Sequence, residues 1–315
     1  MKRVVIAICI VFVIAASIWN VRSKKESVRV APSVARSFDE EVTLLVAMSD
    51  GVCEMNLRDY LIGVISAEMP ASFPSEALKA QAIAARTFTL RQADGRKHPN
   101  ADVCTDSTCC QGWIKSSSEV FSQAVTATDG LVLTYEGALI DATYFSCCSE
   151  RTEAAVSVWG GDVPYLQSVS SPDESDAPRY FEQVNYSAEE FSAILMSTYP
   201  QVDLSSDPDE WFGKISYTKG GGIDTAIIGG INISGTELRK IFSLRSTNIT
   251  FQTSQDEIRM LTYGYGHRVG MSQYGAKALA EAEHSFEEIL LHYYTGVEIF
   301  RLEIEKTPLP NTEEV

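Results

Sequence analysis

One carboxylate stands apart in the sequence. In the stretch AEMPASFPSEALKAQAIAARTF, Glu68 follows Ala67 and is crowded by Met69, Pro70 and Phe73. A carboxyl group pressed among apolar neighbours loses hydration, which raises its pKa toward the range where a general acid works at neutral pH. On the Ala-rich stretch that follows, Lys79 and Arg86 are seven residues apart, so on a helix they share a face and would bind substrate beside Glu68. Plainer roles compete: a solvated carboxylate at a helix end, and two cations laid along a surface with their heads in water.

A second cluster lies in TYGYGHRVGMSQYGAKALA. Gly264, Gly266 and Gly270 surround His267, and glycine allows positive φ and a close approach of backbone to a ligand. His267, Gln273 and Tyr274 add polar and stacking groups suited to a sugar, although a glycine-rich turn around a structural histidine is the other reading. A third cluster, HPNADVCTDSTCCQGW, brings together His98, Cys104, Cys109 and Cys110. Imidazole and thiolate are preferred zinc ligands, and the His98-x5-Cys104-x5-Cys110 spacing leaves a loop long enough to wrap a tetrahedral ion. Such a zinc would be structural, with His98, Cys104 and Cys110 as ligands. The alternative is a disulfide from Cys104 to either vicinal cysteine.

These groups need elements to hold them. The 315 residues, 45% apolar, suffice for one large domain or two ordinary ones with an ordered core. VTLLVAMSDGVCEMN reads as a hairpin around Ser49-Asp50-Gly51, and LRDYLIGVISAEM as a helix that stops before Pro70. An Ala-rich helix follows, opened by Pro74 and closed near Gly95, whose small side chains suit a central, closely packed position. A helix ends at Gly130, and LVLTYEGALIDATYFS turns at Glu136-Gly137. Capping boxes at Ser187 with Glu190, Ser234 with Glu237 and Ser285 with Glu288 mark further helix starts. KISYTKGGGIDTAIIGGINI and NITFQTSQDEIRMLTY read as hairpin strands. The class is α+β: a central Ala-rich helix, additional helices and antiparallel hairpin strands, with a cleft between two lobes.

At the N-terminus, residues 4–19 form an uncharged apolar run after Lys2 and Arg3. It is short for a spanning helix and slightly long for a signal segment. The expectation is a single-pass transmembrane anchor over residues 1–22, a polar stalk over 23–41, a domain over 42–300 and a tail over 301–315. A cleaved signal peptide is the alternative, and either one exports the rest. The net charge of -16 excludes nucleic acid as a partner, since phosphates need a basic surface. Binding an anionic wall polymer would likewise need a local site.

AEMPASFPSEALKAQAIAARTF, GHRVGMSQYGAKALA and EEILLHYYTGVEI, with SGTELRKIFSLRS between them, resemble the stage II sporulation protein D family, which also includes amidase-enhancer proteins. The resemblance covers residues 42–300. It implies a membrane-anchored lytic transglycosylase, acting outside the cytoplasm on the membrane that engulfs the forespore. The substrate would be peptidoglycan glycan strands from which a membrane-bound amidase has stripped the peptides, and the products 1,6-anhydro-muramic acid sugars.

By the same resemblance Glu68 is the catalytic acid/base, Lys79 and Arg86 lie in the cleft, and Ser146, Arg151, Tyr265, His267, Gln273 and Tyr274 bind glycan. Some relatives have His or Cys where the zinc cluster falls, and the chemistry itself requires no metal. A single carboxylate suits this reaction: hydrolysing glycosidases use two, whereas here the substrate's own 6-hydroxyl is the nucleophile. The resemblance also admits a non-catalytic wall-binding protein that recruits or stimulates an amidase. Two departures stand out. Cys148-Ser149-Glu150 replaces a small Ser-Gly-Gly run before Arg-Thr, putting bulk where backbone would approach glycan, and Arg268 replaces a glycine after His267.

Overall fold

The computed structural model describes residues 37–304. The expected anchor over residues 1–22 lies outside the described residues, as do residues 305–315. No helix among the described residues is long and apolar enough to cross a membrane. Residues 37–41, assigned above to the stalk, instead belong to the folded body. Helix α1 (Phe38–Glu41) is held by Asp129, whose carboxylate accepts from Ser37 Oγ and from the Phe38 and Asp39 amides.

Strands β1 (Thr43–Met48) and β2 (Gly51–Asn56) form the expected antiparallel hairpin. Asn56 caps α2 (Leu57–Glu68), which stops before Pro70 because proline cannot extend the helix. Helix α3 (Ser75–Gly95) follows Pro74. The two-residue β3 (Val103–Cys104) runs parallel to β1. Next come α4 (Glu119–Ala127), β4 (Leu131–Tyr135), β5 (Ala138–Leu139), β6 (Tyr144–Phe145) and α5 (Ala155–Trp159). The β4–β5 hairpin turns at Glu136 and Gly137, both at positive φ.

A second lobe is then inserted, with its own core. Strand β7 (Phe181–Ser187) leads to α6 (Ala188–Thr198), β8 (Phe212–Tyr217), β9 (Ile223–Ile228), β10 (Ile231–Ser234), α7 (Gly235–Ile241), β11 (Ile249–Thr253) and β12 (Glu257–Tyr263). These make two antiparallel three-stranded sheets, ordered β10-β9-β8 and β11-β12-β7. Their apolar residues, with Phe191 stacked on Phe242 at 4.8 Å, form a core separate from that of the first lobe. The chain leaves and returns side by side, Gly264 N donating to Tyr180 O at 2.7 Å.

Back in the first lobe, β13 (Met271–Ser272) pairs in parallel with β6, and α8 (Gln273–Glu281), α9 (Phe286–Tyr293) and β14 (Glu298–Arg301) complete the fold. Helix α3 is central as its composition predicts, packing on α2, α4, α8, α9 and β4. Ala77, Ala80, Ala82, Ala84 and Ala85 are all buried, because only small side chains let so many neighbours close on one helix. All three capping boxes form, at the starts of α6, α7 and α9.

Candidate active site

Glu68 ends α2 and is half-buried. Gln273 Nε2 donates to its Oε2 at 2.9 Å, across 205 residues of sequence. Burial raises the carboxyl pKa, and hydrogen bonds from Gln273 and the Gly112 backbone only partly offset it. None of these influences is a second carboxylate.

Gln273 is placed by layers of contacts. It opens α8, and its neighbour Ser272 both caps that helix, accepting from Gly275 N, and donates to Glu174 Oε2 at 2.6 Å. Glu174 in turn accepts from Cys148 N and Ser171 Oγ. Sequence reasoning missed Glu174, whose role depends on donors that no local pattern announces. It also missed Gly112 and Tyr144. The partly buried Tyr144 donates its phenol to Gln111 Oε1 at 2.8 Å, and desolvation, with the charge of Glu68 next, keeps it protonated.

Tyr274 stands edge-on to Phe73 with ring centroids 5.1 Å apart, so it borders the loop that follows Glu68. Its amide donates to Ser146 O at 3.0 Å, and the adjacent Cys147 exchanges backbone hydrogen bonds with Tyr265. Ser146, Tyr265, Gln273 and Tyr274 thus form one connected stretch leading away from Glu68. His267 packs against Phe145 and Trp159, and its Nδ1 accepts from Val269 N. Burial, reinforced by the charge of Arg239, pushes its pKa down to about 4, so the ring is neutral at physiological pH. Arg151 is bound to Ser168 and lines a different groove, beside Tyr180 and Tyr263.

Of the two cations placed beside Glu68 by sequence reasoning, Arg86 is elsewhere. Arg86 is fully buried, paired with Asp39 at 2.6 Å and donating to the Leu131 carbonyl; it is a core ion pair with no face for substrate. Lys79 pairs with Glu76 at 2.6 Å and lies over the Phe286 ring. Seven residues put them on one face of α3 but about 10 Å apart along it, so they meet different neighbours. The glycine loop also differs in purpose. A side chain at Gly270 would collide with the Thr143 carbonyl and one at Gly264 with the Cys147 carbonyl, so the close approach is to the chain itself. Cys148 likewise turns inward and is buried, leaving only Glu150 exposed in that departure.

The donor atoms of His98, Cys104, Cys109 and Cys110 all lie within 4.8 Å of one another. His98 Nε2 is 3.2 Å from Cys110 Sγ and 3.8 Å from Cys109 Sγ, so Cys109 joins the three residues expected as ligands. Three thiols and an imidazole are the donor number and softness of a tetrahedral zinc site. The same segment continues into Gly112, beside Glu68, and Trp113, packed on Gly63 of α2.

The sequence pattern described as Stage II sporulation protein matches residues 48–135. The chain is 37% identical over 260 residues to Stage II sporulation protein D of Bacillus amyloliquefaciens, covering 77% of this chain and 74% of that one. It is 32% identical over 303 residues to the protein of the same name from Bacillus subtilis (strain 168), covering 89% and 86%. It is also 32% identical over 290 residues to Amidase enhancer of Bacillus subtilis (strain 168), covering 75% of this chain and 39% of that one.

Proposed function

Because the chain belongs to the stage II sporulation protein D family, we propose that it is a lytic transglycosylase that cuts peptide-stripped glycan strands of peptidoglycan during engulfment. The observation that carries this reading is the setting of Glu68: one partly buried carboxyl, its pKa raised, held by an amide donor, with no carboxylate partner among the described residues. Hydrolysis by paired carboxylates would need a second such group nearby.

In the acid form Glu68 protonates the glycosidic oxygen as its bond to the anomeric carbon breaks. The muramic acid 6-hydroxyl oxygen then bonds to that carbon, and its proton passes to the Glu68 carboxylate, restoring the acid. No water is consumed. Gln273 Nε2 can only donate, so it fixes one carboxylate oxygen as acceptor and holds the side chain's direction.

His98, Cys104, Cys109 and Cys110 would hold a structural zinc ion, whose contribution when bound is to cross-link the segment that presents Gly112 to Glu68. The apolar run at residues 4–19 would anchor the chain with its domain outside the cytoplasm. A membrane-bound amidase would act first, since its product is this enzyme's substrate.

The likeness to a protein named Amidase enhancer favours a second reading, a wall-binding protein that recruits or stimulates an amidase without cutting glycan. Mass analysis of products from purified peptide-free glycan separates the two. Anhydro-muramic products should form, and Glu68→Gln should lower their rate by about 10²- to 10⁴-fold. Equal release by both proteins would remove Glu68 from the mechanism; no products from either, with an amidase still stimulated, would favour the second reading.

A further inference from the structure

The protein is acidic, with net charge -16, yet one groove of the second lobe gathers three cations. Arg239, Lys240, Arg245 and Tyr265 line an open groove of about 550 Å³, with Glu182 and Ser243 also at its walls. Glu182 is occupied by Arg245, its Oε1 3.0 Å from the arginine Nε. Arg239 donates through Nε to the Leu244 carbonyl, and no carboxylate pairs with it among the described residues. Burial lowers its pKa; Tyr265 offsets part of this, and the nearby charge of Arg268 adds to it. Lys240 is exposed and likewise has no partner among the described residues.

A partly desolvated guanidinium without a counter-charge costs stability, and its planar fork of donors matches a carboxylate. Cations in the last turn of α7 also suit a helix C-terminus. That suits Arg239 and Lys240, and Glu182 satisfies Arg245, but a helix end supplies no carboxylate for the partly desolvated guanidinium of Arg239. Tyr265, at the groove, pairs with Cys147; Ser146, beside it, accepts from Tyr274 N; and Gln273, next in sequence, holds Glu68. The groove and the carboxyl group are therefore linked through Tyr265, Cys147, Ser146, Tyr274 and Gln273, a separation that an extended polymer is long enough to bridge.

We propose that this groove is a subsite that reads whether the stem peptide has been removed: Arg239 and Lys240 bind the free lactyl carboxylate of a muramic acid residue. Breaking the lactyl amide turns a neutral group into an anion at that position, and the anion is what Arg239 and Lys240, the two cations of the groove without a carboxylate partner among the described residues, distinguish. The proposal rests on the chain being a lytic transglycosylase of peptide-stripped glycan.

The test measures binding of the full chain in detergent, carrying Glu68→Gln so that the strand is not cut. Peptide-free glycan is compared with the same glycan after its lactyl carboxylates are converted to methylamides. The free acid should bind about tenfold more tightly, as expected for one charge-assisted contact. Adding Lys240→Gln should remove most of that difference with only a small fall in melting temperature, since Lys240 gives up a helix-end interaction but no ion pair. Equal affinity for the two glycans would overturn the proposal without relying on any variant, and so would a difference that Lys240→Gln leaves intact. Displacement of the glycan by poly(glycerol phosphate) at lower concentration would also overturn it, assigning the groove to a phosphate polymer.

Cleavage by the chain with Glu68 intact keeps the two readings distinguishable. Anhydro products formed equally well from both glycans would sink the subsite alone. Binding that discriminates between the glycans with no product formed would sink the transglycosylase reading.

Discussion

Arg268 Nη2 lies 2.6 Å from Glu153 Oε1, and both side chains are fully buried. Arg268 also donates to Gly220 O and Thr247 Oγ1, while Glu153 accepts from Thr218 Oγ1 and Gly222 N, so the pair ties the loop after His267 to the second lobe. Arg268 has φ of 62°, a left-handed conformation that glycine adopts without strain. Arg268→Gly should nevertheless lower stability by about 3 kcal/mol, because an unpaired buried charge costs more than the relieved strain returns. Adding Glu153→Gln should recover most of the loss. Urea unfolding of the single and double variants measures both values.

Glu68→Gln should stabilise the fold at neutral pH while impairing cleavage. The folded-state pKa of Glu68 lies above its unfolded value, so the folded chain binds the extra proton and stability falls as pH rises through that window. The gain from Gln should be seen as a higher melting temperature at pH 7 that shrinks toward zero below the ordinary carboxyl pKa. A variant less stable than wild type at pH 7 would contradict the desolvation of Glu68.

His267 should make the protein acid-sensitive. Its pKa falls from about 6.5 in the unfolded chain to about 4 in the fold, so the unfolded chain binds more protons between those values. This contribution to stability is complete above the unfolded pKa and is lost as pH falls toward the folded one. Melting temperatures recorded across this interval should fall less steeply for His267→Gln than for wild type.

Arg86 should prove structural. Arg86→Ala leaves Asp39 buried and uncompensated and should cost about 3–5 kcal/mol. Removing residues 37–41 strands Arg86 in the same way. Chemical denaturation of Arg86→Ala, compared with that of a chain starting at residue 42, checks the pair from both sides.

Zinc removal should act on Glu68 indirectly. The purified chain should contain about one zinc per molecule, with the thiols of Cys104, Cys109 and Cys110 titrating only after chelation. Hydrogen exchange at Gly112 and Trp113 should rise on chelation while that of β8 to β10, in the other core, stays unchanged. Full-length protein lacking metal, with Cys104, Cys109 and Cys110 oxidised, would exclude the assignment.

Features whose partners lie close along the chain were legible in the sequence. The capping boxes at Ser187, Ser234 and Ser285 join groups three residues apart, and the hairpin at Glu136 and Gly137 is a local turn. The cysteines and histidine that converge after α3 come from one short segment, although Cys109 counts as a fourth donor only once the loop is folded. Partial burial of Glu68 followed from its apolar neighbours.

Helical periodicity, by contrast, assigns a face to a residue but does not say what meets that face. Arg86 finds Asp39 across 47 residues and Glu68 finds Gln273 across 205, and neither pairing leaves a local trace. Tertiary packing alone made Arg86 a core residue and Gln273 the holder of Glu68, because a charge or amide taken from water must be satisfied by whichever group the fold brings within hydrogen-bond distance.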